Sequence, residues 1–479
     1  MLKKLVILQF LFFPQLMAGQ GKALELLMAD SSMMHSSVSL CILNTGTGET
    51  VYEFNAEKSL IPASVLKLVT SAAALELLGP EYCFRTKLGY TGYLNSMAGL
   101  LTGDIIIIGG GDPALGSEYY KDHYQNFLKN WITEIRNLGI KKIEGRIITD
   151  DSRYDFQPVP AKWLWEDTGN YYGAGAYGLS VFDNTYEIHF RTSDDGSNPV
   201  ITGIVPDICR YKMSNQLIAA GNSDKGYVFA APYNDYGWLA GFVPVNREDF
   251  VLKASVSDPP LLLSEIIDSM LDSAGIVVSG DPSTARLEKN FMENKLKIID
   301  EVVSPPLNDI IEVLNHESVN LFAEHLLKEL GKIYNNNGTT AAGIEVLFKF
   351  LEDSGINTSG MFIEDGSGMS PMDAVTSGGL ADLLLFMRTK GKYFNEFYTS
   401  LPDAGKEGTL TNYFKNPVFD SNLKAKSGSM TRVRSYAGYF RTMSGNEMAF
   451  SILINNYSGP PQKIITGIEE ILKEIILNK

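Results

Sequence analysis

The chain has 479 residues, with 41 Lys and Arg against 56 Asp and Glu, for a formal charge of -15; no basic stripe runs through it, which argues against a nucleic-acid surface. Hydrophobic residues make up 44% and charged residues 20%, the balance of a globular protein and not of a disordered or collagen-like one. The length exceeds what a single core supports at roughly 100 to 200 residues per domain, so two to four domains are expected.

The first residues place Lys3 and Lys4 ahead of an apolar run over 5–13 and the small residues Ala18 and Gly19, the outline of a signal peptide over 1–20. The run is shorter than the roughly 20 residues of a membrane span, and Pro14 interrupts it, so cleavage and export are expected instead of an anchor. No cysteine follows Ala18 or Gly19 to take a lipid, and no later segment is apolar enough to span, so the processed chain is expected to be soluble.

From Val38, "VSLCILNTGTGETVYEF" alternates apolar and polar residues around the break "NTGTGE", as a hairpin does. "IPASVLKLVTSAAALELLG" then reads as a helix rich in Ala and Leu, closed by Gly79 and Pro80. A long middle follows, with "GLLTGDIIIIGGGDP", "KKIEGRIITDD", "TYEIHF", "GYVFAAPY" and "FVLKASV" as short strands between Gly, Asn and Asp turns, which predicts one or two β-rich insertions. "LLLSEIIDSMLDSAGI" starts a helix leading to a helical region over 308–331. Near the end, "KAKSGSM", "SYAGYF" and "EMAFSILIN" read as three strands, and Ile464, Ile465, Ile468, Ile471, Leu472, Ile475 and Ile476 form one face of a final helix. If the two ends meet, they make one antiparallel sheet covered by helices.

Several motifs do not carry a function. "GAGAYG", from Gly173 to Gly178, spells a dinucleotide loop but lacks the strand before it and the helix after it. The five histidines form no H-E-x-x-H and no cluster with cysteine, and no G-x-S-x-G elbow occurs. Cys41, Cys83 and Cys209 are too few for a disulfide framework, and Cys41 reads as a core residue. Trp163, Trp165, Tyr171 and Tyr172 are expected to pack a domain junction, with a glycan groove as the alternative.

With histidine scarce, the base for a serine nucleophile can be a lysine whose site lowers its pKa. Ser64 and Lys67 are three apart and share one helix face, so the amine can reach the hydroxyl, and the helix start favours developing negative charge. The plain alternative is a Ser N-cap followed by a solvated Lys. Two distant pieces bear on the choice: Ser318 and Asn320 precede an apolar helical run, and Lys426, Ser427 and Gly428 sit on a strand. The order S-x-x-K, S-x-N, K-S/T-G is that of penicillin-binding proteins and serine β-lactamases.

Together with "GDIIIIGGGDPAL", "DNTYEIHF", "EDGSGMS", "AGKEGTL" and "AKSGSMTRVRSYAGY", these motifs make the chain resemble the D-alanyl-D-alanine carboxypeptidase/endopeptidase family of low-molecular-weight class C penicillin-binding proteins, peptidase family S13. The resemblance implies an α/β (α+β) fold: a serine β-lactamase/DD-peptidase-like transpeptidase domain over 21–85 and 290–479, an inserted domain over 86–180 and 252–289, and a third nested at 181–251. It also implies roles. Ser64 attacks the carbonyl of a D-Ala-D-Ala bond, Lys67 takes its proton, Ser318 relays a proton to the leaving amine, and Asn320 holds the substrate peptide. Lys426, Ser427 and Gly428 face the terminal carboxylate, and the N–H groups of Ser64 and Ser429 form an oxyanion hole. The expected partners are peptidoglycan stem peptides and β-lactam inhibitors, with no cofactor and no metal, in the periplasm or outside the cell. The third motif is K-S-G where K-T-G is more usual, which keeps the hydroxyl, and the second carries Val319 at its middle. Two rival readings are a β-lactam hydrolase, for which no residue of the sequence, Glu166 included, is assigned deacylation, and a non-catalytic wall-binding protein of the same fold.

Overall fold

Period-two alternation in the last hundred residues builds the central sheet. In a computed structural model describing residues 21–208, 210–288 and 296–479, strands Leu423–Met430, Val433–Arg441 and Glu447–Asn455 form an antiparallel meander, and Ser37–Asn44 then Thr50–Phe54 add to its far edge. The two chain ends therefore share one antiparallel sheet of five strands. The segment 1–20 and Cys209 lie outside the described residues, so the expected leader and that cysteine are not characterised.

Both faces of the sheet are covered, and every residue of Val433–Arg441 but the last is buried. Tyr436, Phe440, Phe450, Ile452 and Ile454 point to one side, against Leu24 and Leu27 of helix Lys22–Met28 and Ile464, Ile468 and Leu472 of helix Pro461–Asn478. Ala437, Tyr439, Ala449 and Leu453 point to the other, into the main core with Leu380, Leu383 and Leu384 of helix Ser377–Thr389. Helix Lys67–Leu78 runs through that core with Lys67 to Leu75 all buried, as suits a segment apolar on every side; Gly79, at φ 86°, ends it. Cys41 is buried in the first strand, and neither Cys41 nor Cys83 is in a disulfide.

The middle of the chain is rich in strands, as expected, and adds a helix that the strand-like reading passed over. Ile105–Ile108 and Ile147–Asp150 pair in parallel, as do Leu100–Thr102 and Lys142–Glu144, and parallel neighbours need a crossover. Helix Phe127–Asn137 lies in that crossover, burying Phe127, Trp131, Ile132 and Ile135 at helical spacing. Helix Pro259–Ser273 joins the same layer, so this part is α/β. Strand Lys297–Val303 pairs with Arg85–Tyr90 at the edge of this sheet. Among the described residues of this middle part, the stretch from Thr185 to Ser255 holds strands and no helix, as two small sheets. Gly173 ends a 3-10 turn, the backbone on to Gly178 is irregular, and a second short 3-10 turn and then strand Thr185–Arg191 follow, with no α-helix of the kind a dinucleotide loop opens. No helix among the described residues is long and apolar enough to cross a membrane.

Candidate active site

Ser64 sits in a 3-10 turn, Ala63–Leu66, that runs directly into helix Lys67–Leu78. Pro62, Ala63, Val65 and Leu66 are buried and Ser64 is not, so the turn offers one reachable side chain. Ala63 is held at φ 49°, a left-handed conformation unfavourable for a residue with a Cβ, which the surroundings must impose. The Ser64 hydroxyl caps nothing, and Lys67 is wholly buried, which excludes the N-cap and solvated-lysine alternative.

The Lys67 amine has three partners: Ser64 Oγ at 2.9 Å, Asn320 Oδ1 at 2.6 Å and the Ser367 carbonyl at 2.8 Å. Burial draws its pKa down to about 7, against the opposing pull of Asp365, Glu324 and Asp373. A neutral amine has two N–H groups and one lone pair. With the two N–H groups donated to Asn320 and Ser367, the lone pair is left for the Ser64 proton.

Ser318 and Asn320 come from the link between two helices. Helix Leu307–Glu317 ends at Ser318, held at φ 60°, and Asn320 opens helix Asn320–Asn335. The Asn320 amide donates to the Tyr172 carbonyl at 2.8 Å and to Met369 Sδ at 3.2 Å, which fixes its oxygen toward Lys67. Lys426, on strand Leu423–Met430, donates to Ser318 Oγ at 2.8 Å and to the Ser427 carbonyl at 3.0 Å. It too is fully buried, and burial, then the neighbouring Lys67, pulls its pKa well down. Gly428 is where this strand passes closest to the Ser64 turn: a Cβ there would lie 2.2 Å from Ser435 Oγ, 2.7 Å from the Pro62 carbonyl and 3.0 Å from the Ser64 nitrogen. Glycine is required for the approach.

Ser64, Ser318, Asn320 and Ser429 thus line one cleft of about 920 Å³, with Lys67 and Lys426 buried beneath. Ser427 stands beside it, its hydroxyl donated to Thr409 Oγ1 at 2.7 Å. The rim carries Glu118, Glu166, Asp167 and Glu317 against Lys253 and Arg432. Of the four aromatics expected at a junction, Trp163 is buried, whereas Trp165 and Tyr171 are 50% and 56% exposed, and Tyr171 and Tyr172 form cleft wall. For those two the packing expectation fails, because the segment curls over the cleft instead of between two cores.

Asp365 was not singled out from the sequence. Its carboxylate accepts from the backbone N–H groups of Ser367, Gly368, Met369 and Ser370 at 2.6 to 3.1 Å and from the indole of Trp163 at 2.7 Å. This folds "DGSGMS" into a tight turn that presents the Ser367 carbonyl to Lys67 and sets Gly368 against the Ala63 carbonyl, where a Cβ would come within 2.0 Å. Glu324 accepts from the Gly366 N–H on the same turn. Burial, then the charge of Asp365, raises the pKa of both Glu324 and Asp373. The only signal in the sequence was the run of small residues after an acid, which marks a turn.

The fold of this chain matches the crystal structure of penicillin binding protein 4 from Haemophilus influenzae, with a TM-score of 0.81 at 21% identity over 95% of this chain and 100% of that one. The same protein complexed with a β-lactam matches with a TM-score of 0.75 at 21% identity, over 92% and 96% of the two chains. In sequence, the chain is 26% identical over 450 residues to the D-alanyl-D-alanine carboxypeptidase of Actinomadura sp., covering 91% of this chain and 81% of that protein. The profile of the D-Ala-D-Ala carboxypeptidase 3 (S13) family matches residues 20–474. That span takes in all the elements that converge on Ser64, and the chain belongs to this family.

Proposed function

We propose that the chain is an exported serine D-Ala-D-Ala carboxypeptidase, with endopeptidase action on cross-linked stem peptides, that works through an acyl-enzyme on Ser64 and is acylated there by β-lactams. The observation that carries this reading is the buried Lys67 amine, 2.9 Å from the Ser64 hydroxyl and with its other two partners already acceptors. Of the groups bonded to Lys67, Asn320, Lys426 and Asp365, only the Tyr172 carbonyl and the Trp163 indole come from the middle of the chain. This supports a catalytic unit built from the outer segments 21–85 and 290–479.

In this reading the Ser64 proton passes to the Lys67 lone pair as Oγ attacks the penultimate D-Ala carbonyl. The oxyanion forms against the N–H groups of Ser64 and Ser429, a contribution typically of about 3 kcal/mol per donor. The proton held by Lys67 is then passed on through Ser318, which is hydrogen-bonded to Lys426, to the leaving amine nitrogen; the C–N bond breaks, Ser318 keeps its hydroxyl proton and Lys67 is neutral again. Asn320 Nδ2 exchanges its bond to Met369 Sδ for one to the substrate backbone, and Lys426 directs its amine toward the terminal carboxylate. Water then attacks the ester, the neutral Lys67 amine takes its proton and returns it to Ser64 Oγ as the C–Oγ bond breaks, and Ser64 is regenerated. A β-lactam follows the first half of this path, and its leaving group stays tethered and obstructs water.

The test is incubation with a fluorescent penicillin and, separately, with a peptide ending in D-Ala-D-Ala. The parent takes up label and releases D-alanine, while Ser64→Ala does neither; label or release in Ser64→Ala would sink the assignment. The β-lactam hydrolase reading gains a specific candidate from Glu166, which lines the cleft. Label lost within seconds, and retained for many minutes in Glu166→Gln, would favour it.

A further inference from the structure

Strands Lys225–Phe229 and Tyr236–Val243 pair antiparallel, with Tyr227 opposite Ala240 and Phe229 opposite Trp238. Successive side chains of a strand point to opposite faces. Val228, Leu239 and Val243 are fully buried in the small core beneath, so Tyr227, Phe229, Tyr236, Trp238 and Phe242 share the outer face. The solvent side of an antiparallel sheet is ordinarily polar. Here Tyr236 is 54%, Phe242 48% and Tyr227 40% exposed.

The rings form a continuous row. Trp165 leans on Trp238 at 6.1 Å, Trp238 stacks on Phe229 at 5.1 Å with planes 8° apart, and Phe229 lies 6.4 Å from Tyr227. Mutual stacking holds the row in place before anything binds, which lowers the ordering cost of binding. Tyr227 belongs to this row and to the wall of the cleft that Ser64 faces. A cleft of about 920 Å³ has room for a short peptide but not for a polymer to which that peptide is attached, so the polymer must leave across a wall. The wall at Tyr227 leads onto aromatic surface.

We propose that this row, from Tyr227 to Trp165 on the outer sheet face, binds the glycan strand of amino-sugar rings that carries the stem peptide cleaved at Ser64. The identity of the occupant rests on the peptidase reading above. Sugar rings present flat C–H faces that pack on aromatic rings without needing charge, and a tyrosine joins an apolar ring to a polar tip suited to hydroxyl and acetamido groups. The row works as a binding platform and takes no part in the chemistry.

The test uses Trp238→Ala, with the more exposed Trp165→Ala as a second variant in case the first disturbs folding; thermal unfolding reports on both. Three readouts are compared with the parent: penicillin acylation, D-alanine release from a soluble peptide, and co-sedimentation with insoluble wall glycan stripped of its peptides. Retention on glycan is expected to fall about tenfold, with the two small-substrate rates within about twofold of the parent. Unchanged retention overturns the proposal, as does an equal fall in all three readouts, which would mark a structural role. A concentration-dependent dimer in the parent that is lost in the variants would show that a second copy covers this face and also overturns it. If the parent retains glycan through these residues but releases no D-alanine, the platform stands and the peptidase reading fails.

Discussion

The pKa of Lys67 fixes how acylation depends on pH. Its amine moves from an ordinary 10.5 to about 7, chiefly through lost hydration, with Asp365 foremost among the charges opposing the shift. That displacement corresponds to about 5 kcal/mol between the two protonation states. Only the neutral amine can take the Ser64 proton. The second-order rate of acylation by a penicillin should therefore fall about tenfold per pH unit below 7, to about 1% of its plateau at pH 5. Stability moves with the same group. The unfolded chain holds the proton up to about pH 10 while the folded chain gives it up near 7, so between these values the unfolded state binds more protons and stability rises with pH. Lys67→Met keeps the apolar stem without the buried charge, and should raise the unfolding temperature more at pH 6 than at pH 9 while abolishing acylation. The assay is the time course of fluorescent penicillin uptake between pH 5 and 9, with unfolding curves at both ends. A flat profile over that range, or an increase that continues to pH 9 with no plateau, would refute a neutral Lys67 as the base.

Gly428→Ala pushes a methyl group against the Pro62 carbonyl and the Ser64 nitrogen; it should cost about 1 to 3 kcal/mol of stability and slow acylation, read by denaturant unfolding and penicillin uptake. Ser318→Ala leaves the Lys426 amine without its hydroxyl partner and should lower D-alanine release about 100-fold, with a stability loss of about 1 to 3 kcal/mol read by thermal unfolding. Asp365→Asn puts an amide among N–H donors, leaving at least one buried N–H unpaired at about 1 to 3 kcal/mol. It also removes the charge that opposes the lowering of the Lys67 pKa, so the acylation break should move to lower pH, which a merely loosened turn would not produce. Cys41, 4% exposed and with its thiol pushed up to about 12 by burial, should resist a thiol reagent at pH 8 until the protein unfolds, as followed by mass spectrometry.

What could be read in the sequence was whatever depends on spacing along one element. Ser64 and Lys67 are neighbours on any helix that contains them, and the alternation of the last three strands fixes which residues enter each of the two cores. What could not be read was anything set by contact between elements. Lys67 in its own turn is an ordinary lysine; its pKa falls only where strand Leu423–Met430, the 365–370 turn and the start of helix Asn320–Asn335 exclude water from it. Its three partners are separated from one another by tens to hundreds of residues. The Asp365 turn is held mostly by backbone N–H groups, which every sequence has, so the acid alone carried no distinguishing mark. The outer aromatic face was missed for a related reason: aromatic residues in short strands predict core, and only the pairing register shows which ones point outward. The insertion helix Phe127–Asn137 is a different case, since its apolar spacing was there to be read and the strand-like segments on either side drew the reading toward β. On the proposed roles the site is local in its nucleophile and non-local in its base strength, and a substitution that loosens the closure should raise the Lys67 pKa before it changes the Ser64 to Lys67 distance.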